Sequence, residues 1–223
     1  MIPFLAPLVT FLQPLIQPII AALPKIGAAV AKFVAKIPPP IIDKVISVAA
    51  DIICDLAKRL LGCSDTPAEL GDKALKAEKK PEDFEKTSDY IKYLENEVKI
   101  DRVEFQKLTP EERRTRELAG TEIYRQGISE KLGFDMTDEF LVLCGKVGLD
   151  AKTVYMLIDE LQGSRSITLS DVCSYFAGTC LPDKIKETGD LCKRVFTRSL
   201  DNPTPEEVNK KILTLMEEAG KVY

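Results

Sequence analysis

The first 24 residues carry no charged side chain, yet five prolines, Pro3, Pro7, Pro14, Pro18 and Pro24, punctuate them. A segment this apolar is driven out of water. It also cannot form an interior strand or a straight helix, because each proline removes an N–H and crowds the turn before it. It must lay one side on something apolar and leave the carbonyls freed by the prolines facing water or a polar partner.

A helical wheel at about 100° per residue sorts the segment cleanly. Phe4, Leu5, Leu8, Phe11, Leu12, Leu15, Ile16 and Ile19 gather on one side. Pro3, Pro7, Pro14 and Pro18 share a stripe with Thr10, Gln13 and Gln17. Lipid on all sides would leave the freed carbonyls unbonded, so the pattern argues for a bent amphipathic helix lying on a membrane surface or in a partner's groove. A full membrane span and docking on the chain's own body are the other two occupants the pattern allows. No Lys or Arg precedes the run, as a secretory signal requires, and Arg and Ser are too scarce for a transit peptide.

Residues 25–37 repeat the theme. Lys25, Lys32 and Lys36 form one stripe opposite Ile26, Val30, Phe33, Val34 and Ile37, the arrangement of a basic helix lying at an interface. Pro38, Pro39 and Pro40 then form a stiff break, with Pro40 suited to the first position of a helix that runs to Leu61 and stops at Gly62. Its apolar residues recur every three or four positions, as ordinary helix packing requires.

Charge divides the chain. Residues 1–62 hold six basic and three acidic side chains, a net +3, which leaves −7 for the remainder. With 31 Lys+Arg against 35 Asp+Glu in all, the molecule is not an electrostatic binder of nucleic acid. Histidine is absent, which excludes Ser-His-Asp and Cys-His catalysis and every His-containing metal site.

After the arm, helix starts dominate. Thr66-Pro67-Ala68-Glu69, Thr109-Pro110-Glu111-Glu112 and Thr204-Pro205-Glu206-Glu207 each offer a capping threonine, a proline at the first helical position and a glutamate that closes a capping box. Thr137, Asp150 and Thr168 are further starts, while Gly148, Gly163 and Gly178 follow helix ends. Pro81-Glu82-Asp83 opens another helix with Phe84, Ile91, Leu94 and Val98 as its seam, and the charge-rich 73–80 stretch is a solvated helix or linker. Only 102–105 and 166–169 suit a strand.

The fold expected is therefore all-α: a proline-rich amphipathic arm (1–37), an amphipathic helix (38–62), a charged helical linker (63–108) and a multi-helix body (109–223). Residues 154–176 resemble a degenerate EF-hand helix-loop-helix, with Ile167 as the central loop residue and Asp171 at its close. The ligand positions, Glu160, Gln162 and Ser164, do not meet the motif, and Arg165 replaces the glycine, so no calcium site is expected.

Catalytic chemistry finds no motif. The six cysteines include no C-x-x-C pair, and most lie at helical spacing among apolar residues as reduced core thiols, although Cys173 and Cys180 could bridge in an oxidising compartment. The phosphate-loop, dinucleotide and nucleophile-elbow signatures are missing. Acidic residues such as Asp159 and Glu160 sit where capping or solvation explains them. The chain therefore reads as a non-enzymatic structural or accessory subunit of a larger assembly, a membrane-complex subunit or a virion component, without cofactor, metal, nucleic acid or small-molecule substrate. Phe4, Leu5, Leu8, Phe11, Leu12, Leu15, Ile16, Ile19, Ile26, Val30, Phe33 and Ile37 would meet the membrane interface or an apolar partner channel. Lys25, Lys32 and Lys36 would supply the interfacial charge. The alternative is a membrane-permeabilising effector. A membrane-associated or assembly-bound location follows, with a reducing environment favoured by the cysteines.

Overall fold

The computed structural model describes residues 6–164 and 166–221, with side chains from Leu12 onward. Among them twelve α-helices follow one another and no strand occurs. They are α1 Ala6–Ala22, α2 Pro24–Ala35, α3 Ile42–Leu56, α4 Pro67–Lys76, α5 Thr87–Glu97, α6 Arg102–Gln106, α7 Pro110–Leu132, α8 Asp138–Val147, α9 Ala151–Gly163, α10 Leu169–Phe176, α11 Pro182–Ser199 and α12 Pro205–Gly220. A 3-10 turn, Pro39–Ile41, leads into α3, and a π-helical turn, Ala57–Leu61, prolongs α3 to Gly62.

The three threonine-proline starts are helix N-termini with complete capping boxes. Thr66, Thr109 and Thr204 accept from the amides of Glu69, Glu112 and Glu207, whose carboxylates accept from the threonine amides in return. The Thr109 and Thr204 amides hold the carboxyls of Glu112 and Glu207 below the usual range. Thr168 makes the same box with Asp171, while Thr137 and Asp150 cap α8 and α9 through the amides of Phe140 and Thr153.

Three local expectations need correction. Pro81–Asp83 makes only a 3-10 turn, because Phe84 turns extended and sets its ring 5.4 Å from both Tyr90 and Tyr93, and α5 starts at Thr87. Residues 102–105 are helical, since the Asp101 carboxylate accepts from the amides of Val103 and Glu104. In 166–169, the Thr168 cap ends any extension and launches α10.

Contacts group the chain into two units, one of residues up to Ile42 with Ile53–Asp135, the other of Asp43–Ile52 with residues from Met136 on. The sequence placed its boundaries at 37, 62 and 108. The contacts instead gather the arm with the 63–108 region and divide the expected body at Asp135.

In the first unit α7 is the central helix, with α1, α2, α4, α5 and the π-helical turn packed on it. Thr115 and the run from Leu118 to Tyr124 are buried on every side, so α7 has no apolar stripe. Its crossing with α4 is a backbone contact. A Cβ on Gly120 would lie 1.8 Å from the Pro67 carbonyl oxygen, and one on Gly71 would lie 1.9 Å from that of Arg116. Only glycine permits so close an approach.

Buried charge lines the same junction. The Asp72 carboxylate, 1% exposed, accepts from Arg116 Nε and Lys76 Nζ, each at 2.8 Å. Lys73, expected in solvent, is buried and donates to Asp65 at 2.6 Å, because the α4 helix turns it inward. Glu95 accepts from the amides of Ser64 and Asp65, and the Tyr124 hydroxyl donates to the Asp65 carbonyl at 3.0 Å.

The second unit is conventional. α9, α10 and α12 pack on α11, and α8 touches α10 and α12. Val154, Ile158, Val172, Leu191, Val195 and Ile212 supply its core, with the Phe176 and Phe196 rings edge to face at 6.4 Å. Lys146 Nζ ties α8 to α12 through the Ala219 carbonyl.

Candidate functional site

The site the sequence singles out is the arm, and its two helices are sorted as the wheel requires. Along α1, Leu12, Ile16 and Ile19 are buried, and Leu15 is half-buried. Gln13, Pro14, Gln17 and Pro18 face solvent, so the carbonyls that Pro14 and Pro18 leave without an N–H partner lie on the wet side. Leu23 is the joint. Its amide still bonds Ile19 O at 2.7 Å, its carbonyl accepts from Gly27 at 2.8 Å, and Pro24 opens α2 where a missing N–H costs nothing.

Ile26, Val30, Phe33, Val34 and Ile37 continue the buried face through α2 and just past its end, while Lys25, Lys32 and Lys36 are exposed. α1 and α2 approach closely where Gly27 meets Ile20, since a Cβ on Gly27 would fall 2.6 Å from the Ile20 backbone. Lys25 Nζ lies 3.7 Å from Glu82 Oε1.

Phe4 and Leu5 lie outside the described residues. Leu8 and Phe11 fall on the α1 backbone, with side chains outside the description. The described apolar residues do converge on one face, and both arm helices pack on α7. In this structure the occupant of that face is the chain's own interior, the third of the possibilities open from sequence. The reason is α7: without an apolar stripe of its own, it completes a core only when covered by helices that bring one. Leu23, also fully buried, was not among the expected contacts, although its spacing from Ile16 and Ile19 fits the face and only Pro24 beside it obscures the register.

No helix among the described residues is long and apolar enough to cross a membrane.

Two further clefts carry polar groups. In the second unit an open cleft of about 510 Å³ is lined by Asp159, Glu160, Gly163, Ser164, Ser166, Glu187 and Arg194. Glu160 accepts from Arg194 and Arg198, both at 2.9 Å, and those guanidiniums hold its carboxyl below the usual range. Asp159 pairs with Arg198 at 3.1 Å. The first ligand position of the EF-hand-like reading is thus occupied by arginines, and Asp171, the last, caps its own helix. The EF-hand resemblance finds no support. Among the described residues no three metal-ligating side chains cluster.

In the first unit a pocket of about 200 Å³ has Leu60, Leu61, Cys63 and Ile91 among its walls. Burial, with Glu95 nearby, pushes the Cys63 thiol up to about 12, so it stays protonated at neutral pH and is a poor nucleophile. No disulfide joins any of the six cysteines, Cys173 and Cys180 included.

No protein-family model, no curated protein and no solved structure matches this chain.

Proposed function

We propose that the chain is a non-enzymatic structural or accessory subunit of a larger assembly, held there by its N-terminal arm. The observation that carries this reading is the construction of the arm: two helices joined at Leu23, one continuous apolar face, and an outer face of prolines, glutamines and lysines. That geometry suits any apolar acceptor equally. Moving the face from the α7 surface to a membrane interface or an apolar channel between subunits keeps the arm's own side chains out of water, so their transfer term largely cancels and the cost that remains is the α7 surface left behind. The lysines would add about 1 kcal/mol each near an anionic surface.

Carbodiimide coupling of Lys25 to Glu82 locks the arm to the body and makes the reading testable on the full chain. The unlocked chain should float with phosphatidylserine-containing vesicles, or co-purify with its partners, without releasing vesicle-entrapped dye. The locked chain should do neither. Equal association with the arm locked would contradict the proposal, and dye release by the unlocked chain would favour the permeabilising effector.

A further inference from the structure

We infer that the arm's acceptor is a second copy of this chain, each copy laying α1 and α2 on the α7 of the other. The inference rests on the attachment reading above and names its partner.

Three observations lead to it. The arm is a self-contained piece: the Leu23 joint is hydrogen-bonded on both sides and the helices approach backbone to backbone at Gly27 and Ile20, so α1 and α2 move together. The link to α3 is Pro38, Pro39 and Pro40: Pro38 is extended at φ −59° and ψ 136°, and Pro39 and Pro40 enter the 3-10 turn that leads into the helix. These prolines have no N–H to give up, and straightening the link costs two turn bonds, from Ile41 N to Pro38 O at 3.1 Å and from Ile42 N to Pro39 O.

The third observation concerns what the arm leaves behind. When α1 and α2 depart for a bilayer, the α7 surface they cover is bared to water, and that loss opposes departure. A reciprocal exchange bares nothing, because the second arm carries the same residues to the same surface. The balance between closed monomer and exchanged dimer then depends only on the link and the concentration. A flexible link would hold the arm near its own body at an effective concentration of order millimolar, whereas a link of three prolines, each with φ fixed by its ring, is stiffer than such a chain and weakens that advantage.

The Lys25–Glu82 pair reads the exchange directly, since it joins arm to body across 3.7 Å. Unlabelled and heavy-nitrogen-labelled full-length chains are mixed, unfolded and refolded together, then coupled with carbodiimide. Light scattering should show a dimer at tens of micromolar, and about half of the Lys25–Glu82 linked peptides should join a light to a heavy partner, as random pairing of two populations requires. Replacing Pro38, Pro39 and Pro40 by glycine should shift the chain toward monomer with unmixed links. A monomer at every concentration, a dimer with only unmixed links, or a glycine variant that exchanges as readily as the parent would each overturn the inference. If unmixed links come from a chain whose arm still floats with vesicles, the exchange between copies fails and attachment stands; if the locked and unlocked chains also associate alike, both fail.

Discussion

The two units reach a helical core by different means. The second is assembled from capped amphipathic helices whose side chains interdigitate, and its ion pairs, Glu160 with Arg194 and Arg198, lie toward the surface. The first is built around a helix with no apolar face, held by backbone contact at Gly71 and Gly120 and by carboxylates taken out of water. Side-chain packing relaxes around a change, whereas a backbone contact cannot. The first unit should therefore be brittle and the second forgiving.

The sharpest way to break that contrast is Gly120→Ala. The added methyl would overlap the Pro67 carbonyl, so α4 and α7 must separate, and we expect a loss of at least about 4 kcal/mol in chemical denaturation. A tolerated alanine would mean that the crossing is looser than described. Next, Asp72→Ala strands the largely buried Arg116 guanidinium at the crossing and should cost about 3 kcal/mol. Replacing Arg116 with Met in the same chain should recover part of that loss, which separates the cost of an unpaired charge from that of a cavity.

Smaller effects belong to the second unit. Thr137→Ala removes the cap on α8 and should cost about 1 kcal/mol, seen as a modest shift in the denaturation midpoint. Glu160→Gln should cost only about 0.2–1 kcal/mol. Arg194 and Arg198 hold the Glu160 carboxyl below its ordinary value, so its contribution is complete above the unfolded carboxylate value of about 4.3 and disappears as the pH falls through the folded one. A wild-type–mutant stability difference that persisted at pH 2 would show that the pair is not the cause.

The same contrast explains what sequence could reveal. Caps are local, so Thr66, Thr109, Thr137, Asp150, Thr168 and Thr204 were all legible as helix starts. The two faces of the arm were legible as well, because a wheel needs only spacing, and Pro14, Pro18, Lys25 and Lys32 lie on the wet side as the spacing demands. α7 was not legible as the centre of a unit. Its burial falls in part on Thr115, Thr121, Glu122 and glycines, and nothing in periodicity marks a polar residue that is buried beside its partner, as Glu122 is with Arg125 of the same helix. Lys73 was misplaced for the same reason, since its partner Asp65 lies on the loop before α4. Periodicity also fixes that a face is covered without saying by what, which is why the occupant of the arm's apolar side had to come from the structure.

The central claim, that the arm is core in the closed chain yet separable from it, is tested most directly by native-state hydrogen exchange of α1 and α2 against α7. The account predicts that the arm's amides exchange through a partial opening of lower free energy than the one that frees the amides of α7, with both helices of the arm opening together. Arm amides that exchange only through the same global opening as α7 would contradict it and make the arm a permanent part of the core.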